Sequence, residues 1–124
     1  MPNAMIVAAV LLGLVNVANA ADATWVGTSS VSKDGSEDGC DGVGADYTIV
    51  INNNFMTATP DTKHKSYATM KVDLAKLEAN GAGTATAMGK NHKPWDFEFE
   101  AGTGARKIKY GSRYGTCRFL ITPK

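Results

Sequence analysis

Between Trp95 and Glu100 the side chains change character at every step: Trp95, Phe97 and Phe99 are aromatic, while Asp96, Glu98 and Glu100 are acidic. A period of two puts the three rings on one face of a strand and the three carboxylates on the other, which an amphipathic helix cannot do. The chain therefore contains a sheet with one apolar face to cover and one face in water.

Other segments extend the same rhythm. Tyr47-Thr48-Ile49-Val50-Ile51 is β-branched and aromatic without a charge, a strand signal. Asn52-Asn53-Asn54 reads as a turn, because Asn tolerates left-handed backbone angles. Phe55-Met56-Thr57-Ala58-Thr59 then returns antiparallel and stops at Pro60, and Trp25-Val26-Gly27-Thr28 begins a first strand. Residues 66–74 alternate, with Ala68, Met70, Val72 and Leu74 inward, although residues 72–78 also favour one or two helical turns. Residues 80–83 end that element, and 84–88 form a further strand. Residues 101–104 turn the chain, 106–110 run back, and Gly111 and Gly115 frame a bend. Residues 116–121 close the series with Cys117, Phe119 and Ile121 on one face. The expected fold is all-β: an antiparallel meander of about seven to eight short strands, with room for one short helix. A small barrel is favoured over a sandwich, because closure removes exposed edges.

Residues 5–17 are a nearly continuous apolar run, followed by Ala18-Asn19-Ala20 and preceded by no charge. Small residues flanking that last triplet fit a signal-peptidase site, although residues 1–4 lack the usual base. The run is shorter than the roughly 20 residues of a membrane span. The expectation is a cleaved signal peptide over 1–20 and a single β domain over 21–124, without a transmembrane span, in a periplasm or outside the cell. Export favours disulfides, and the two cysteines, Cys40 and Cys117, permit one intramolecular bridge.

Charge is divided unevenly. Residues 22–62 hold seven acids against Lys33, a net of −6, and residues 63–124 hold twelve bases against five acids, a net of +7. Arg106, Lys107, Lys109, Arg113 and Arg118 lie in an acid-free stretch and form a candidate basic binding face for an anionic glycan, lipid or protein surface. The competing reading pairs Asp96, Glu98 and Glu100 across a hairpin with Arg106, Lys107 and Lys109. Export argues against nucleic acid as the partner.

Chemistry-bearing motifs are sparse. Asp34-Gly35-Ser36-Glu37-Asp38-Gly39 opens like a calcium loop, but the twelfth position is Ala45 rather than Glu. Asp34, Asp38 and Asp41 remain the only calcium candidates, beside the plain reading of an acidic loop. His64 and His92 sit in basic runs, and two histidines do not make a zinc site. No serine stands in a Gly-x-Ser-x-Gly setting. No cofactor is implied. The ten aromatic rings either fill a small core or line an apolar cavity, for which Trp25, Trp95, Phe97 and Phe99 are the candidates.

Trp25-Val26-Gly27 at the head of the first strand resembles the opening of lipocalin- and avidin-type barrels. Tyr114-Gly115-Thr116-Cys117-Arg118-Phe119 is similar to the closing strand of small bacterial periplasmic barrel domains. The resemblance implies binding of a small ligand, or of a partner protein at the barrel rim, and not catalysis. The leading expectation is a non-enzymatic exported binding protein, monomeric or homodimeric, that engages a protein or an anionic surface. The alternatives are a barrel that binds a small apolar ligand and a hydrolase with an unrecognised site.

Overall fold

The computed structural model describes residues 21–32, 40, 43–89 and 92–124. The apolar run 5–17 and the calcium candidates Asp34, Asp38 and Asp41 lie outside the described residues.

Among the described residues eight strands follow one another: β1 (Ala23–Val31), β2 (Asp46–Asn52), β3 (Phe55–Pro60), β4 (Met70–Asp73), β5 (Gly83–Met88), β6 (Pro94–Phe99), β7 (Ile108–Ser112) and β8 (Phe119–Pro123). They form one antiparallel sheet in the order β4-β3-β2-β1-β8-β7-β6-β5. Pairing of β1 with β8, from Gly27↔Pro123 to Val31↔Phe119, joins the first of these strands to the last. β4 and β5 come close to each other without a hydrogen-bonded ladder. The result is a nearly closed barrel with one unlaced seam, as the strand count and the closure argument anticipated.

Alternation decides which side chains fill it. Ile49, Ile51, Met56, Val72, Ile108 and Ile121 are all 1% exposed or less, and Phe97, Phe99, Tyr110 and Phe119 join them. Between these inward positions, Glu98, Thr48, Val50, Lys71 and Lys109 are exposed. Glu98 stands opposite Lys109 in the β6–β7 register, the cross-strand arrangement read from sequence. On β1 one inward position is Gly27, where a Cβ would collide with Ile121 Cγ2 and with the Trp25 ring. Glycine lets β8 and the indole occupy that space. The β2–β3 hairpin turns through Asn53 (φ 52°) and Asn54 (φ 68°), a left-handed pair whose twist suits two antiparallel strands.

Several boundaries differ from the sequence reading. Residues 72–78 form no helix. The Leu77 N–H closes a single turn on Leu74 O (3.1 Å), and the Glu78 N–H, which a helix would send to Leu74 O, goes to Ala82 O (2.8 Å) instead, so no i→i−4 ladder forms. A short helix lies earlier, a 3₁₀ turn over Thr62–His64 whose N–H groups at Lys63 and His64 are accepted by Asp61 Oδ1. That turn occupies the chain before β4, which begins at Met70 rather than Ser66. Arg106 falls outside β7, and Cys117 falls in the loop before β8, where it is bonded to Cys40.

The up-and-down order gives the barrel two different ends. At one, the β4–β5 connection tucks underneath: Leu74 and Leu77 are buried, and Gly102 N–H reaches Asn80 O (2.7 Å) to tie this connection to the β6–β7 loop. Each buried leucine contributes roughly 1.5–3 kcal/mol of apolar burial. Arg106 completes the plug, its guanidinium 5.2 Å from the Phe99 ring centroid and Nη1 donating to Gly104 O (3.0 Å). The opposite end carries the β1–β2, β3–β4, β5–β6 and β7–β8 connections. There the Cys40–Cys117 disulfide, with a Cα–Cα distance of 5.6 Å, pins the first of these loops to the last.

Candidate functional site

The unplugged end holds a pocket of about 420 Å³, within the size range of small-molecule sites. Its walls come from the strand ends that point this way: Tyr47 from β2, Met70 from β4, Ala87 and Met88 from β5, Trp95 and Phe97 from β6, Tyr110 from β7 and Phe119 from β8. Tyr67, in the β3–β4 connection, covers one side. Because β4 and β5 are not laced together, the pocket extends along their seam, from residues 68–71 on one edge to 87–89 on the other.

Local sequence explains why space remains there. β5 offers alanines, Ala85 and Ala87, where other strands offer rings, so its inward face fills less volume. Gly89 sits against the Trp95 indole so closely that a Cβ would lie 2.5 Å from its Nε1. The rings on the far wall are mutually braced: Phe97 and Tyr110 stack with centroids 5.5 Å apart, and Tyr110 and Phe119 stack at 5.2 Å. Such pairs hold their positions whatever enters beside them.

Polar groups in this region are few. Tyr47 and Tyr110 share a side-chain hydrogen bond, and the Tyr110 hydroxyl lies 3.3 Å from Ser29 Oγ, itself buried. Burial pushes both phenols above their ordinary range, so they stay neutral. Lys71 and Lys93 border the pocket and are exposed, and among the described residues that line it none is acidic. Tyr67 stacks on His64 at 5.2 Å, and His64 Nδ1 is held by Asp61 Oδ1 at 2.8 Å. Asp61 also accepts the Asp46 N–H, and with His64 this holds its carboxyl well below the usual range, at about 2.

The candidate cavity residues divide. Trp95 and Phe97 lie on the pocket wall; Trp25 and Phe99 do not. Phe99 lies beneath Arg106 in the plug, and Trp25 packs over Gly27 with its Nε1 buried and unpartnered. Residues overlooked in the sequence are Met70, Ala87, Met88, Lys71 and Lys93. Their one available signal is the pairing of methionines, which adapt to irregular space, with alanines too small to fill it.

The five candidate basic residues fall in different places. Arg106 is buried in the plug, where desolvation pulls its pKa down. Lys107 is exposed beyond β6, and Lys109 lies on the outer wall of β7. Arg113 is paired with Asp96 at 2.7 Å, which lowers the carboxyl pKa. Arg118 Nη1 donates to the carbonyls of Ser112 (3.1 Å), Gly115 (2.9 Å) and Cys117 (3.0 Å), bracing the β7–β8 loop. Lys109 and Arg118 do border one shallow outer groove, together with Asp96 and Glu98. That groove mixes both signs.

Among the described residues, no three His, Cys, Asp or Glu side chains gather as a metal site requires, and no helix is long and apolar enough to cross a membrane. No protein-family model, curated protein or solved structure matches the chain.

Proposed function

We propose that this chain is a non-enzymatic, exported binding protein that takes a small apolar ligand into the open end of its barrel. The observation that carries the reading is the contrast between the two ends. One is filled by Leu74, Leu77 and Arg106, and the other leaves about 420 Å³ walled by braced rings and methionines. A fold that fills one end and lines the other with apolar side chains is suited to holding a guest.

Export after Ala20 remains part of this proposal, and a disulfide at Cys40–Cys117 is in keeping with an oxidising compartment. The nearly closed eight-stranded architecture also accords with a relationship to lipocalin- and avidin-type barrels. Engagement of an anionic surface through the C-terminal bases has less support, because Arg106, Arg113 and Arg118 are each committed to partners within the barrel.

The test uses Trp95 as reporter. In a Trp25→Phe background the remaining indole lies on the pocket wall, and titration with a neutral long-chain alcohol, dodecanol, is expected to change its emission saturably. Ala87→Phe, placed on the same wall, is expected to abolish that response while far-ultraviolet circular dichroism is retained. An unsaturable response, or one that survives Ala87→Phe unchanged, would refute the reading.

A further inference from the structure

The pocket's border is not neutral. Lys71, on the unlaced edge of β4, and Lys93, immediately before β6, both border it and both are exposed, while among the described residues no Asp or Glu lines it. Among the described residues of the same end, Asp61 is held by His64 and Asp96 by Arg113. The interior gives a head group no comparable welcome. Tyr47, Tyr110 and Ser29 already bond to one another, and burial there disfavours any bare charge.

From this arrangement we infer that the ligand is a single-chain amphipathic anion, its apolar chain between Met70, Met88, Trp95 and Phe97 and its anionic head at the rim beside Lys71 and Lys93. The inference rests on the proposed ligand-binding function and adds the charge and orientation of the guest. A volume of about 420 Å³ corresponds to roughly 14 water-sized groups at ~30 Å³ each, the size of a chain of about a dozen carbons with its head. Lysines are compact point charges without the planar fork of arginine, so the site selects for charge rather than for one head-group geometry.

The experiment compares three guests of equal chain length on the intact, disulfide-bonded protein: dodecanoate and dodecyltrimethylammonium below their micelle concentrations, and dodecanol below its solubility limit. At low salt, dodecanoate is expected to bind roughly tenfold more tightly than dodecanol, and the cation more weakly than either. High salt should narrow the gap, because exposed charges are screened. Lys71→Gln and Lys93→Gln are each expected to weaken dodecanoate roughly threefold, a typical exposed ion-pair effect. Dodecanol binding should be unchanged in both, which also reports that the variants are folded.

Equal binding of dodecanoate and dodecanol overturns the inference and leaves the ligand-binding function standing. So does a charge preference that survives the double lysine variant, or one that vanishes instead in Tyr47→Phe or Tyr110→Phe. Binding to anionic vesicles without binding of monomeric dodecanoate assigns the lysines to a membrane surface and overturns it too. If none of the three guests binds, the underlying function fails with it.

Discussion

Replacing both Cys40 and Cys117 by serine removes a bridge that closes a loop across a sequence separation of 77 residues. The loop-closure entropy for so long a loop amounts to about 4.5 kcal/mol at room temperature. Little offsets that loss in the folded state: both cysteines are only half-buried, and serine is close to isosteric. A domain of this size has roughly 5–15 kcal/mol of total stability, so the serine variant is expected to fold with a much thinner margin. Urea unfolding followed by tryptophan emission measures the difference. With a denaturant slope of about 2 kcal/mol/M, the midpoint should fall by roughly 2 M. Since β1 and β8 pair through five residue pairs whether or not the bridge is present, the native circular dichroism should be unchanged. A loss below about 1 kcal/mol would refute the argument, because it would mean the bridge does not restrict the unfolded chain.

Three further perturbations test other parts of the account. Gly27→Ala introduces a Cβ into space held by Ile121 and Trp25 and should cost about 1–3 kcal/mol by overpacking, read by the same urea titration. Arg106→Ala removes the plug's guanidinium from Phe99 and from Gly104 O and should destabilise by about 2 kcal/mol. Arg106→Met, which keeps the packing volume, should recover most of that loss in a thermal melt. Asp61, depressed to about 2 from its ordinary 3.8, stabilises the fold above the unfolded pKa and loses that contribution as pH falls from about 4 through about 2. Melting temperatures across that window should therefore fall less steeply for Asp61→Asn than for the native chain.

The sheet was readable because its signals are local. The alternation at Trp95–Glu100, the β-branched run at 47–51 and the asparagine turn each depend on a few adjacent residues, and each stands where it was expected. The plug and the pocket were not, because both depend on where distant segments meet. Leu74 and Leu77 have helical spacing and favour helix, but the chain there is tied to the β2–β3 hairpin through Asn54 O and to the β6–β7 loop through Gly102, contacts that only the folded barrel brings together. Arg106 reads as one more surface base until Phe99 is placed beneath it. The aromatic residues gave candidates for a cavity wall without saying which end was open. That depends on β5 having alanines inward, and on β4 and β5 remaining unlaced.

The central claim is that one end of the barrel admits an apolar guest while the other is shut. Methionine methyl resonances distinguish the two directly, since Met70 and Met88 line the pocket whereas Met56 is fully buried between Ile51 and Val72. On titration with dodecanol, the methyl signals of Met70 and Met88 are expected to shift together and saturate while that of Met56 holds its position. Equal movement of all three, or none at Met70 and Met88, would contradict it.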